Sequence, residues 1–246
     1  MTLYITRFSA WALGIESSDE WKEWANGKRQ MHYSLEPSAE SDRLSSGQRD
    51  SSPKAPEIAF TDLMFRRRLS QISKMTIQVI YDLMPLKENT KIIFLSFRGE
   101  LSRQFKVNMM QVEEGSVMPA AFSLSVFNAP PALASMALGL KGGYSALYPG
   151  GNSFGAGLSA AGAALLAGTS DELIVVYADE EVPPEYASLL SERPFPFAFS
   201  CLLCKSPVTG EHGNDSISLS SVNREAESPA EFLKSLILLK EIHVPP

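Results

Sequence analysis

Apolar and polar positions along this chain follow two different periods. Leu3–Trp11 alternates closely enough for a first strand, and Tyr144–Tyr148 is a short strand. Lys91–Phe97 (KIIFLSF) and Leu173–Ala178 are near-continuous apolar runs, expected where a sheet is covered on both faces. Helical spacing governs Thr61–Met84, where Leu69, Ile72, Met75, Val79, Ile80 and Leu83 recur on one side and Pro85 closes the run. Further helices are predicted over Glu100–Val112, Pro130–Leu140 and Ser153–Ala167, with a loop over Glu113–Ala121.

The ends of these segments carry stop and start signals. Ser17-Ser18-Asp19-Glu20 is a capping box opening a short helix that stops at Gly27. Ser228-Pro229-Ala230-Glu231 opens the last helix, whose buried side is Phe232, Leu233, Leu236, Ile237 and Leu239. Ala198–Cys204 and Ser216–Val222 read as strands joined by a hairpin through Gly210–Asp215. Asp42–Lys54 is read as an exposed loop. Strands alternating with helices, then a hairpin, predict an α/β fold with a mixed sheet covered by helices, in one domain over residues 1–246. Tyr144–Tyr148, a Gly-rich turn, Ser153–Ala167 and Leu173–Ala178 form a strand–turn–helix–strand unit around Gly150–Gly155, where chemistry commonly sits.

Composition changes this picture little. A net charge of −6 argues against non-specific nucleic-acid binding. Two cysteines in 246 residues do not make a disulfide scaffold. No apolar run reaches transmembrane length and the first residues lack a signal-peptide pattern, so a mature, cytoplasmic protein is expected. Arg66-Arg67-Arg68 is a solvated face or a contact surface for an acidic partner.

Three local patterns invite chemistry. Gly151-Asn152-Ser153-Phe154-Gly155 matches G-x-S-x-G, a nucleophile elbow in a strand–helix context. Its histidine would have to be His212, in the hairpin-like turn, or His243, near the end, and neither follows a strand returning to Ser153. Cys201 and Cys204 match C-x-x-C, but three residues apart on a strand they face opposite ways and read as buried apolar side chains. No plausible set of metal ligands is offered, and no cofactor is implied. The small-residue helix Ser153–Ala167 is too short to span a membrane and reads as core.

Residues 118–180 resemble the nucleophile region of β-ketoacyl synthases. Met118-Pro119 with Ser125-Val126-Phe127-Asn128, then Gly139-Leu140-Lys141-Gly142, the Gly-rich turn, and Ala167-Gly168 through Ala178 follow the family's ordered motifs. Leu3–Gly14, Arg67-Arg68-Leu69-Ser70 and Phe94-Leu95-Ser96-Phe97-Arg98-Gly99-Glu100-Leu101-Ser102 are similar to a divergent branch that includes the chain length factors of aryl polyene clusters. The resemblance implies half of a thiolase-like fold over about residues 1–205, with a short hairpin and helix region over about 206–246.

Counted from Gly142, the family's nucleophilic cysteine falls on Gly151, which cannot form a thioester, and the second half that supplies the catalytic histidines is absent or shrunken. The resemblance therefore implies a non-catalytic subunit that pairs with a full-length β-ketoacyl synthase and receives chains from an acyl carrier protein. The family pairing strand maps to Tyr144, Ser145, Ala146, Leu147 and Tyr148. Asn108, Val112, Met118, Ala121 and Phe122 map to the acyl-tunnel wall, or to interface packing. A serine hydrolase at Ser153 and a purely scaffolding subunit are the other readings.

Overall fold

In the computed structural model, described for residues 2–33, 54–150, 153–190, 194–210, 213–214, 216–222 and 228–242, six strands make one mixed sheet. The elements in order are β1 Tyr4–Ala12, α1 Ser18–Ala25, α2 Leu63–Arg66, α3 Gln71–Tyr81, β2 Lys91–Leu95 and α4 Leu101–Glu114. They continue with α5 Pro119–Ser123, α6 Ala129–Leu138, β3 Tyr144–Leu147, α7 Phe154–Ala167, β4 Glu172–Asp179 and β5 Phe197–Cys204. Two short strands, β6 Thr209–Gly210 and β7 Gly213–Asn214, pair with each other, and β8 Ile217–Ser218 and α8 Pro229–Ile242 follow. The strand order is β3-β2-β4-β5-β1-β8. β3, β2 and β4 run parallel, β5 is antiparallel to both β4 and β1, and β8 is antiparallel to β1.

The central strands are continuous in hydrophobicity because both faces are covered. Ile93, Leu95, Val175, Tyr177 and Cys201 point into a core closed by α1, α7 and α8. Their neighbours Ile92, Phe94, Ile174, Val176 and Leu202 point into a second core closed by α3 and α6. The period of two along a strand sends alternate side chains to opposite layers. It also separates the cysteines: Cys201 lies in the first core and Cys204 in the second. Burial raises both thiol pKa values, which makes them inert apolar residues rather than a redox pair.

Both expected capping boxes form. Ser17 and Glu20 exchange hydrogen bonds at the start of α1, and Ser228 and Glu231 do so at α8. Gly139 ends α6 with φ +66°, a conformation that favours glycine. Gly142 then passes so close to the Asn89 carbonyl that no side chain fits there.

Four expectations need correction. The helix over Thr61–Met84 is two helices, because Asp62 caps α2 and Ser70 caps α3, so polar caps interrupt the apolar period. The loop Glu113–Ala121 contains the start of α5, with Pro119 in its first turn. The strand over Ser216–Val222 shrinks to β8 and a 3₁₀ turn, and β8 pairs with β1 rather than β5, whose two edges are taken by β4 and β1. Finally, α7 is core on one side only: Phe154, Leu158, Ala161 and Leu165 are buried, while Ala156, Ala160, Ala163 and Ala167 are exposed. The expected loop over 42–54 lies outside the described residues except for Lys54.

Candidate functional site: an open sheet edge beside the β3–α7 turn

Among the described residues β3 is the outermost strand of the sheet and pairs with β2 alone. Its bonds to β2 use alternate residues: Ile92 N–H donates to the Gly143 carbonyl at 3.0 Å and Ser96 N–H to the Leu147 carbonyl at 3.4 Å. In a parallel ladder this register turns the backbone groups of Tyr144, Ala146 and Tyr148 away from β2. Tyr144 and Tyr148 are exposed, and Ser145, Ala146 and Leu147 are half-buried. A strand at the edge of a sheet is a template for another strand.

The residues expected to line a tunnel or interface gather on α4 and α5. Asn108 is exposed and accepts a hydrogen bond from Gln104 at 3.0 Å. Val112 is 79% exposed, Met118 62% and Phe122 56%, large fractions for apolar side chains. Ala121 is half-buried on α5. The structure thus places four of the five on solvent-facing surface. An open groove of about 250 Å³ lies elsewhere, between α7, Leu3 and Leu219.

A buried polar network lies under the turn that follows β2. The Asp179 carboxylate, at the end of β4, accepts from Ser96 Oγ at 2.5 Å, Tyr177 Oη at 2.6 Å and the Arg98 guanidinium at 2.9 Å. The backbone N–H groups of Phe97 and Arg98 also donate to it, at 3.3 and 3.0 Å. Burial raises the Asp179 pKa despite Arg98 and these donors. Burial likewise raises that of Tyr177 well above its ordinary value, with the Asp179 charge adding to it. Phe97 meets Tyr148 and Tyr177 edge-on at 6.1 and 5.8 Å, and Phe154 at the start of α7 meets Tyr177 at 5.9 Å. The end of β3, the β2 turn and the α7 N-terminus are therefore one packed unit. Sequence reasoning missed this network. Its signal was the acid run Asp179-Glu180-Glu181 placed directly after an apolar strand.

Gly151 and Asn152 lie outside the described residues, as do His212 and His243. Ser153 stands at the N-cap of α7, where its side chain makes no capping bond. Among the described residues, no histidine is hydrogen-bonded to Ser153, and no three His, Cys, Asp or Glu side chains group to hold a metal.

Residues 21–242 match the family model described as "Beta-ketoacyl synthase, N-terminal domain". The chain belongs to the β-ketoacyl synthase N-terminal domain family. No curated protein matches it. Among solved structures, this ketosynthase-family chain resembles one titled as a ketosynthase (ApeO) in complex with its chain length factor (ApeC) from Xenorhabdus doucetiae. That match has 22% identity and a TM-score of 0.68, covering 96% of this chain and 92% of the other. The ishigamide ketosynthase/chain length factor matches at 13% identity and TM-score 0.57, over 84% of this chain and 63% of the other. A ketosynthase from module 6 of the bacillaene synthase of Bacillus subtilis 168 matches at 16% and 0.58, over 83% of this chain and 40% of the other. These likenesses establish a thiolase-like ketosynthase fold, of which the chain spans only part of the longer relatives.

Proposed function

We propose that this chain is a non-catalytic, chain length factor-like subunit that pairs with a full-length β-ketoacyl synthase and forms part of the wall of its acyl tunnel. One observation carries the reading: among the described residues the sheet ends on β3, which pairs with β2 alone, and the apolar side chains Val112, Met118 and Phe122 of the α4–α5 region are exposed. A ketosynthase partner would extend the sheet across Tyr144–Tyr148 and cover that apolar surface. Glycine at the nucleophile position supports a supporting rather than a condensing role, because the thiolate would have to come from the partner. The whole chain, residues 1–246, would act as one ketosynthase-like domain.

The acyl carrier protein is the second proposed partner. Arg67 and Arg68 are exposed, and Leu63 and Met64 beside them are exposed apolar residues. A cationic and apolar surface of this kind suits an acidic partner.

Co-expression with a ketosynthase tests the pairing. A 1:1 complex is expected, with an interface above about 2,000 Å². A chain that stays monomeric beside the ketosynthase would sink the proposal. The hydrolase reading is tested by fluorophosphonate labelling, where stoichiometric reaction at Ser153 would favour it over pairing. A scaffold without influence on product length is favoured if enlarging each of Asn108, Val112, Met118, Ala121 and Phe122 leaves the product unchanged in an intact complex.

A further inference from the structure

Helix α4 is joined to the body in an uneven way. Of its 14 residues only Val107 is buried, and from Gln111 to Glu114 every residue is exposed. Among the described residues, the side-chain hydrogen bonds that tie it to the rest of the molecule are confined to its first turn. Ser102 N–H donates to Glu180 Oε1 at 2.7 Å, and Ser102 Oγ donates to the Glu181 carbonyl at 3.3 Å. The Arg103 guanidinium donates to the Arg68 carbonyl at 2.8 Å. Glu100, at the N-cap, accepts from Ser70 Oγ and Ser73 Oγ of α3, both at 2.7 Å, and its other oxygen lies 3.4 Å from Arg103 Nε. The remaining length is held by apolar contact, including Phe105 edge-on to Tyr186 at 5.3 Å.

The charges in this clamp do not balance. Glu100 stands at the α4 N-cap and Glu180 accepts from Ser102 two residues on, so two buried carboxylates meet the same helix end, and among the described residues Arg103 is the cation placed there. The neighbouring Arg98 is committed to Asp179. From α3 and its cap the hydroxyls of Ser70 and Ser73 donate to Glu100, and Gln71 Oε1 accepts from the backbone N–H of Glu181, on the same segment as Glu180. Two buried carboxylates beside one cation keep a proton. Glu100 accepts from two hydroxyls at one oxygen and forms an ion pair with Arg103 at the other, which has no hydrogen-bond partner among the described residues, whereas Glu180 accepts from the Ser102 backbone N–H, so the proton is assigned to Glu180. Burial, with repulsion from Glu100, pushes the Glu180 pKa up to about 8.

We propose that α4 is a hinged helix whose attachment depends on one proton held by the Glu100–Glu180 pair, so that rising pH frees the helix as a unit. The proton is bound while the helix is docked and is released when its first turn opens to water. The opening equilibrium therefore rises about tenfold per pH unit between the free-carboxylate range and the docked pKa, and levels off above it. α4 carries Asn108 and Val112 on its uncovered surface, so a partner that needs the docked helix binds more tightly at lower pH. The inference stands on the clamp alone and is independent of which partner covers α4.

Hydrogen exchange of the full chain, followed by mass spectrometry from pH 6 to 9, reads the hinge directly. Intrinsic exchange rates are divided out, and peptides of β2 serve as the internal reference. Wild-type α4 amides are expected to lose protection about tenfold per pH unit up to about pH 8 and then to plateau, with β2 unchanged. Glu180→Gln should make the α4 profile flat. Glu100→Gln removes the repulsion and should move the plateau to lower pH, which keeps the test decisive if Glu180→Gln fails to fold. A flat wild-type profile, a slope shared by β2, or an unchanged slope in Glu180→Gln and an unmoved plateau in Glu100→Gln would overturn the proposal. Failure to pair with a ketosynthase would leave these profiles unaffected.

Discussion

Replacing Ala146 by proline separates the fold of this chain from its assembly. The Ala146 backbone faces away from β2, because Gly143 and Leu147 supply the carbonyls that accept from Ile92 and Ser96. Proline at an outward edge position removes no ladder bond within the sheet, so the isolated fold should lose no more than about 1 kcal/mol. Assembly should suffer more. One bond to a pairing strand is lost, about 1 kcal/mol net, and the ring crowds the facing backbone, which costs about 1–3 kcal/mol. The sum, about 2–4 kcal/mol, corresponds to a Kd weakened roughly 30- to 700-fold. Ser145→Pro is the matched control, since its N–H is turned toward β2 and its loss should damage the fold itself. Thermal melts of each variant and titration against the ketosynthase give both quantities. If Ala146→Pro melts like wild type and still binds with an unchanged Kd, the β3 edge is not the pairing strand.

Further outcomes follow from the interior and the surface. Phe154→Ala empties the contact of α7 with Tyr177, Phe199 and Phe232, and should cost about 3–5 kcal/mol in urea unfolding. Asp179→Ala leaves Ser96, Tyr177 and Arg98 without their shared acceptor, and a destabilisation of about 3–5 kcal/mol is expected in the same assay. Ala121→Phe should shorten the product, by mass spectrometry, while the complex still forms. If all five of Asn108, Val112, Met118, Ala121 and Phe122 can be enlarged without changing product length, the tunnel role fails and a scaffold remains.

What was legible in the sequence is whatever a local period or a cap could encode. The all-buried strands β2 and β4 followed from unbroken apolar runs, and both capping boxes formed where Ser-x-x-Glu announced them. The edge position of β3 came from resemblance, not from pattern, because a four-residue strand carries too little periodicity to reveal its neighbours. The pairing of β8 with β1 departs from the hairpin expectation because a hairpin signal speaks only of nearby chain, whereas the sheet as a whole selects the strand beside β1. The Glu100–Glu180 clamp and the Asp179 network were hidden for a similar reason. Bonds central to each, Ser102 to Glu180 and Ser96 to Asp179, span 78 and 83 positions along the chain, and nothing local marks a buried acid as paired. The alanines of α7 look alike on every side, so the sequence pattern predicts core all round and the packing alone shows which half is covered.

The most direct test of a non-catalytic partner role is condensation by the purified pair with each proposed nucleophile removed in turn. Replacing the ketosynthase's nucleophilic cysteine by alanine should abolish product while leaving the 1:1 complex intact, and Ser153→Ala in this chain should leave the rate unchanged. Continued condensation without the partner's cysteine, or loss of activity on Ser153→Ala in an intact complex, would contradict it.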